Sequence, residues 1–192
     1  LVFITHGWNS NAKDNDSWVM EMERQIERII EKEGNLSNWD VRAYDWSQYA
    51  KLPITPETAY VNAGLWGVWV GWQLKSMNYD HIHFIVHSAG SNLIQTAVDR
   101  ITNDAIKNNF KKPTMHLTFL DAYDPGGVKS RYGINSDWAE QYMNFDFAYT
   151  NIPLCHVYTF DVTKILPPVS TRDKLILAAL LSPVTWGVPL LG

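Results

Sequence analysis

One cysteine, Cys155, is all the thiol chemistry in this chain of 192 residues. It excludes an internal disulfide and a multi-thiolate metal site and leaves the redox compartment open; lying beside a strand-like run, it reads as a buried structural thiol. Basic charge is also scarce. With 16 Lys+Arg against 20 Asp+Glu the formal net charge is −4, and no Lys/Arg-rich block offers itself to a phosphate backbone, so nucleic acid is not expected as a partner. Long apolar runs are missing as well: the most apolar segment, Leu175 to Leu191, is broken by Pro183 and Pro189 and carries Ser182 and Thr185, which argues against a transmembrane helix. It reads as a core helix followed by a loop, or as a lid or surface that makes transient contact with a lipid interface. Leu1 opens an apolar run with neither a methionine nor a charged n-region, so no signal peptide is expected and the chain reads as a mature form or a fragment. Internal repeats, low-complexity stretches and interdomain linkers are not seen.

What is present fits one α/β domain spanning 1–192: 46% of the residues are hydrophobic and 19% charged, a soluble globular balance. Strand and helix signals alternate along the chain, the pattern of βα units on a parallel sheet. Strands are expected at Leu1–Thr5, Trp39–Trp46, His81–His87, Thr114–Leu120 and His156–Phe160. Helices are expected from Asp16 or Ser17 to Gly34, from Thr58 to Met77, from Ala89 to Asn103, briefly at Asp137–Tyr142, and at Asp173–Leu181. In the first, Trp18, Met22, Ile26, Ile29 and Ile30 recur at helical spacing. Gly64, Gly67 and Gly71 share the second, and since each costs helix propensity, close packing against the sheet or a neighbour is the expected compensation.

Val86-His87-Ser88-Ala89-Gly90 joins a predicted strand to a predicted helix, the layout of a nucleophile elbow in which a tight turn lifts the Ser88 hydroxyl above the sheet. The pattern G-x-S-x-G expects glycine where Val86 stands. Ligands of an open parallel sheet bind at the carboxyl ends of its strands, which here carry His6-Gly7-Trp8, Asp45-Trp46, His87-Ser88, Asp121 and Asp161. Acyl transfer needs a nucleophile, a base, an orienting acid and amide donors for an oxyanion. The set supplies all but the base.

Four of these segments together resemble the pancreatic-lipase-like α/β-hydrolases. Phe3-Ile4-Thr5-His6-Gly7-Trp8 is similar to the family's strand ending in H-G; Tyr44-Asp45-Trp46 to its V-D-W strand end, with Tyr60 to Val68 resembling the helix that follows; His83 to Gly90 to the elbow strand; and Thr118-Phe119-Leu120-Asp121 to its L-D acid. The resemblance covers most of Leu1 to Asp124. It implies a three-layer parallel-sheet α/β-hydrolase fold, here lacking some N- and C-terminal elements, and hydrolysis of carboxylic esters, with lipids among the substrates. It further implies Ser88 as nucleophile, Asp121 as acid, the Trp8 and Ala89 amides as oxyanion donors, and no cofactor.

The family's histidine, expected after the acid on a loop beyond the last strands, is not evident. His156 is the one histidine after Asp121, and at the start of its strand it lies near the opposite edge of the sheet from Ser88. The base is therefore expected beyond Gly192, with His156 as the alternative. His6 and His87 read as structural. Asp161 and Asp124 stay open beside Asp121 as the acid, Asp124-Pro125-Gly126-Gly127 also suiting a turn. His81-x-His83 shares a strand face, and Asp121 with Asp124 could meet calcium, but neither set is a complete ligand shell and metal catalysis is not expected. The competing reading is a binding or structural protein on the same scaffold without the chemistry.

Overall fold

A computed structural model describes residues 1–34, 36–125, 131–145 and 152–163. Six strands form one sheet, all parallel: β1 (Val2–Thr5), β2 (Val41–Tyr44), β3 (His81–His87), β4 (Thr114–Leu120), β5 (Trp138–Met143) and β6 (Tyr158–Asp161), in the order β2-β1-β3-β4-β5-β6. Helix α1 (Trp18–Lys32) covers one face, and α2 (Pro56–Ser76) and α3 (Gly90–Asn108) the other, a three-layer α/β arrangement. No described helix is long and apolar enough to cross a membrane.

The two faces follow from strand periodicity. Phe3, Ile82, Phe84, Val86, Met115, Leu117 and Phe119 point toward α2 and α3 and form the main core. Val2, Ile4, Val41 and Ile85 meet the narrower apolar stripe of α1. That stripe is led by the buried Val19, with Trp18, Met22, Ile26 and Ile30 packed around it, while Ile29, expected on the same face, is 60% exposed. Ser17 caps α1, its hydroxyl accepting from the Met20 amide, and Gly34 ends it at φ +70°.

Two expectations are corrected here. Asp137–Tyr142 is not a helix but leads into β5: both the amide and the carboxylate of Asp137 pair with the Met115 backbone, and Ala139, Gln141 and Met143 turn inward while Trp138, Glu140 and Tyr142 turn outward. Gln141 hid the alternation, because a fully buried amide reads as polar; its side chain is satisfied by the Ile152 carbonyl, the Leu154 amide and Thr159. Cys155 is exposed rather than buried, since it falls in the turn before β6 and not on the strand itself. The helix expected at Asp173–Leu181 lies outside the described residues.

Helices α2 and α3 pack through the glycine row. A methyl group on Gly67 would stand 2.3 Å from the Leu93 carbonyl oxygen, one on Gly71 2.7 Å from that of Ala97, and one on Gly64 2.9 Å from the Asn92 amide nitrogen. The propensity lost at each glycine is thus offset by backbone-level contact with α3. Gly67→Ala is expected to cost about 1–3 kcal/mol through overpacking in urea denaturation, whereas Leu65→Ala, at a side chain 69% exposed on the outer face of α2, should change stability little.

Candidate functional site

The strand order reverses direction at one place. The chain leaves β1 for β2 across the α1 face, returns past β1 to β3 by way of α2, and continues outward through α3 to β4. The chain therefore leaves β1 and β3 toward opposite faces of the sheet, the place where an open parallel sheet has its ligand crevice, above the carboxyl ends of these neighbouring strands. Its walls are His6-Gly7-Trp8 on one side and Ser88-Ala89 on the other.

Ser88 occupies the left-handed region at φ +52°, where a non-glycine residue is strained. The turn is held from three directions. The Ser88 amide donates to the Leu120 carbonyl at 3.0 Å, and its own carbonyl accepts from the Ser91 amide at 3.0 Å and the Tyr123 amide at 3.3 Å. Two glycines make the turn fit. A methyl group on Gly7 would lie 2.7 Å from the Ser88 Cβ, and one on Gly90 2.5 Å from the His6 carbonyl oxygen and 2.8 Å from a Val86 methyl. Val86 is tolerated at the position where the elbow pattern has glycine because its side chain is fully buried in the main core, with Gly90 leaving the room it needs. Ser88 is half-buried, and neither its hydroxyl nor the Trp8 and Ala89 amides take a hydrogen-bond partner among the described residues.

The β1 loop is braced from beneath. His6 is fully buried; its Nδ1 lies 2.8 Å from the Gly7 carbonyl, and its Nε2 receives the Trp46 amide at 3.2 Å. A carbonyl can only accept and an N–H only donate, so the neutral ring with its proton on Nδ1 satisfies both contacts. Burial holds the His6 pKa below its ordinary value, against the opposing pull of the Gly7 carbonyl and Asp45. The Trp46 indole donates to the His6 carbonyl at 2.8 Å and stacks on its ring. Asp45 collects the Ala12 amide, the Ser47 hydroxyl and Lys13. Burial alone would raise its carboxyl, but these partners bring it below the usual range. His6 and Asp45 are thus occupied in shaping the loop.

Among the carboxylates, Asp121 is the neighbour of Ser88: His87 pairs with Leu120, so the next residues of β3 and β4 stand side by side, about 5 Å apart at the strand spacing. Asp121 also has a positive φ, +45°; one carboxylate oxygen accepts the Asn144 amide at 2.6 Å, and the other has no partner among the described residues. Burial raises its pKa, partly countered by that amide. Asp161 is in the same row but three strands from Ser88, about 14 Å away, exposed and occupied by the Thr163 amide. Asp124 is buried near Tyr60 and Tyr132, whose hydroxyl pKa values are raised by burial, with the Asp124 charge adding to the rise. Gly126 and Gly127, the remainder of its expected turn, lie outside the described residues.

All six histidines of the chain are described, and none is placed to take a proton from Ser88. His156 sits in an exposed turn before β6, which starts at Tyr158, at the end of that strand away from Ser88 and three strands across. His81 is exposed at the opposite end of β3. His83 and His116 lie on the α1 side of the sheet, stacked on each other. His87 turns to the same side, where the Trp18 ring meets it edge-on. Burial, with His6 nearby, pushes the His87 pKa down to about 4. Neither His81 with His83 nor Asp121 with Asp124 forms a ligand cluster among the described residues; those that do converge are His83, His116 and Glu140. The last two were not singled out from sequence. The signal was the equal length of two seven-residue strands, whose third residues, His83 and His116, fall in register.

A scan against protein-family models and searches of curated proteins and of solved structures return no significant match.

Two predictions come from this geometry. Ser88→Gly relieves the left-handed strain and is expected to stabilise the fold by about 1 kcal/mol in urea denaturation, whereas Ser88→Ala, which keeps a Cβ at φ +52°, should not. His87 has a folded pKa near 4 against an ordinary 6.5, so the unfolded chain binds more protons between those values. Its contribution to stability is complete above pH 6.5 and is lost as pH falls toward 4. The melting temperature of wild type should drop through that window more steeply than that of His87→Asn.

Proposed function

We propose that the chain carries the nucleophile, acid and oxyanion donors of a serine hydrolase acting on carboxylic esters, on an α/β-hydrolase scaffold. The observation that supports this most is Ser88 itself: a strained, half-exposed serine at the reversal point of a parallel sheet, with its hydroxyl unengaged and its turn fixed by Gly7 and Gly90. In this reading the Ser88 oxygen attacks the acyl carbon and passes its proton to a base. The Trp8 and Ala89 amides hold the negative oxygen, and the alcohol leaves with the proton returned to it. Water then releases the acid by the same route. Asp121 would orient the base, its free carboxylate oxygen accepting an imidazole N–H. That imidazole belongs to none of the six histidines present, and the proposal places it beyond Gly192.

A lipid ester suits the surroundings. The outer face of α2 exposes Val61, Leu65, Trp69 and Trp72 at helical spacing, an apolar stripe wide enough for transient contact with a lipid interface. The second reading, a binding or structural protein with no turnover, is favoured by the lack of a described histidine placed to take the Ser88 proton.

The two readings part under a fluorophosphonate probe, which phosphonylates activated serines. The full-length protein is expected to label and its Ser88→Ala variant not to; equal labelling of both, or none of either, rules Ser88 out as nucleophile. Residues 1–192 alone should hydrolyse p-nitrophenyl esters weakly or not at all. Robust turnover by that chain would return the role of base to His156.

A further inference from the structure

Beyond β3, the face of the sheet that α1 occupies is not covered by any described helix. On it lies a polar cluster distinct from the Ser88 crevice. His83 and His116 are directly paired on β3 and β4, and Thr118 and Glu140 are directly paired on β4 and β5, one step nearer the crevice end on the same face. We propose that His83, His116 and Glu140 bind a divalent transition-metal ion of the zinc class, independently of the Ser88 chemistry.

The ligand atoms are already gathered: one nitrogen of each imidazole and one Glu140 oxygen lie within 4.8 Å of one another. His116 Nε2 stands 3.5 Å from Glu140 Oε1. That is long for a hydrogen bond, but it is the separation of two ligands held at about 2.0–2.2 Å from one tetrahedral ion. The same nitrogen is buried and has no hydrogen-bond partner, an unsatisfied group that a metal would satisfy. His83 reaches the same carboxylate oxygen through Thr118: its Nε2 is 2.8 Å from the Thr118 hydroxyl, which in turn donates to Glu140 Oε1 at 2.9 Å. The Trp138 indole lies 3.4 Å from the second Glu140 oxygen and aims the first toward the histidines, the supporting contact that carboxylate ligands commonly have.

Two imidazoles and one carboxylate suit zinc, nickel or copper rather than calcium, and they leave a fourth position for water. Loading requires two local changes. The rings stack 3.9 Å apart and nearly parallel, while an ion lies in the plane of each imidazole that binds it, so the two rings must turn about their side-chain bonds and open toward Glu140. His83 must also carry its proton on Nδ1 in place of Nε2, exchanging the Thr118 contact for the metal. The cluster is accessible from solvent, the His116 side chain being 33% exposed and that of Glu140 18%.

The experiment titrates tag-free, chelator-treated protein with zinc chloride by calorimetry and with cobalt chloride by visible absorption. Wild type is expected to bind one zinc per chain and to develop the intense bands of four- or five-coordinate cobalt. His116→Gln and Glu140→Gln, each checked for native circular dichroism, should bind at least tenfold more weakly, while His81→Ala and Ser88→Ala should bind as wild type does. Absence of saturable binding to wild type, or wild-type affinity in both glutamine variants, overturns the site. Because Ser88→Ala is expected to bind normally, failure here and failure of the hydrolase reading are separable.

Discussion

The architecture of the crevice depends on one close approach of backbone to backbone. Where β1 and β3 end side by side, Gly7 lies against the Ser88 Cβ and Gly90 against the His6 carbonyl, at distances no added Cβ could share. This contact makes the strained serine geometry self-consistent. A serine at φ +52° costs of order 1–3 kcal/mol, and it persists because the Leu120, Ser91 and Tyr123 backbone groups pin both sides of the turn. His6 is fully enclosed beneath the contact, and burial lowers its pKa while its Nε2 accepts the Trp46 amide, an arrangement that favours the neutral ring. Strain at one residue is thus held by glycines at two others and by a buried histidine that ties the β1 loop to Trp46.

The α2–α3 pair supports that arrangement from the other side of the sheet. Glycines at 64, 67 and 71 bring the two helix backbones into contact, and α3 starts at Gly90, immediately after the strained turn. The helix leaving Ser88 is therefore placed by its packing on α2 as well as by the sheet. The Asn92 side chain joins the two, donating to the Tyr60 carbonyl of α2 while it accepts from Arg131. Tight interior packing of this kind allows few alternatives, which is what a turn in a sparsely populated conformation needs around it.

How far the sequence discloses this structure depends on whether a residue's role is local. The seven-residue strands His81–His87 and Thr114–Leu120 are read to the residue, because their apolar content and flanking breakers are local signals. The strand ends that carry Ser88 and Asp121 are read as well, since parallel strands all present their carboxyl ends at one edge of the sheet. What is not legible is pairing. Asp137 reads as the start of a short helix until Met115 is seen to accept and donate beside it, and the polar Gln141 hides the strand alternation until its three partners are known. His116 and Glu140 carry no mark of their own, for their meeting is a property of register across three strands.

That register ties the two polar regions of the molecule together. Ser88 and Asp121 follow the last residues of β3 and β4, and His83 and His116 are the third residues of the same strands, about 16 Å lower at the rise of a β-strand. A one-residue slip between β3 and β4 would turn core and outer faces over along the whole pair. It would part Ser88 from Asp121 and His83 from His116 at once. The buried side chains oppose such a slip: Ile82, Phe84 and Val86 match Met115, Leu117 and Phe119 one for one, all within 1% of full burial. The apolar face of these strands, which takes no part in either cluster, is therefore what holds both in alignment.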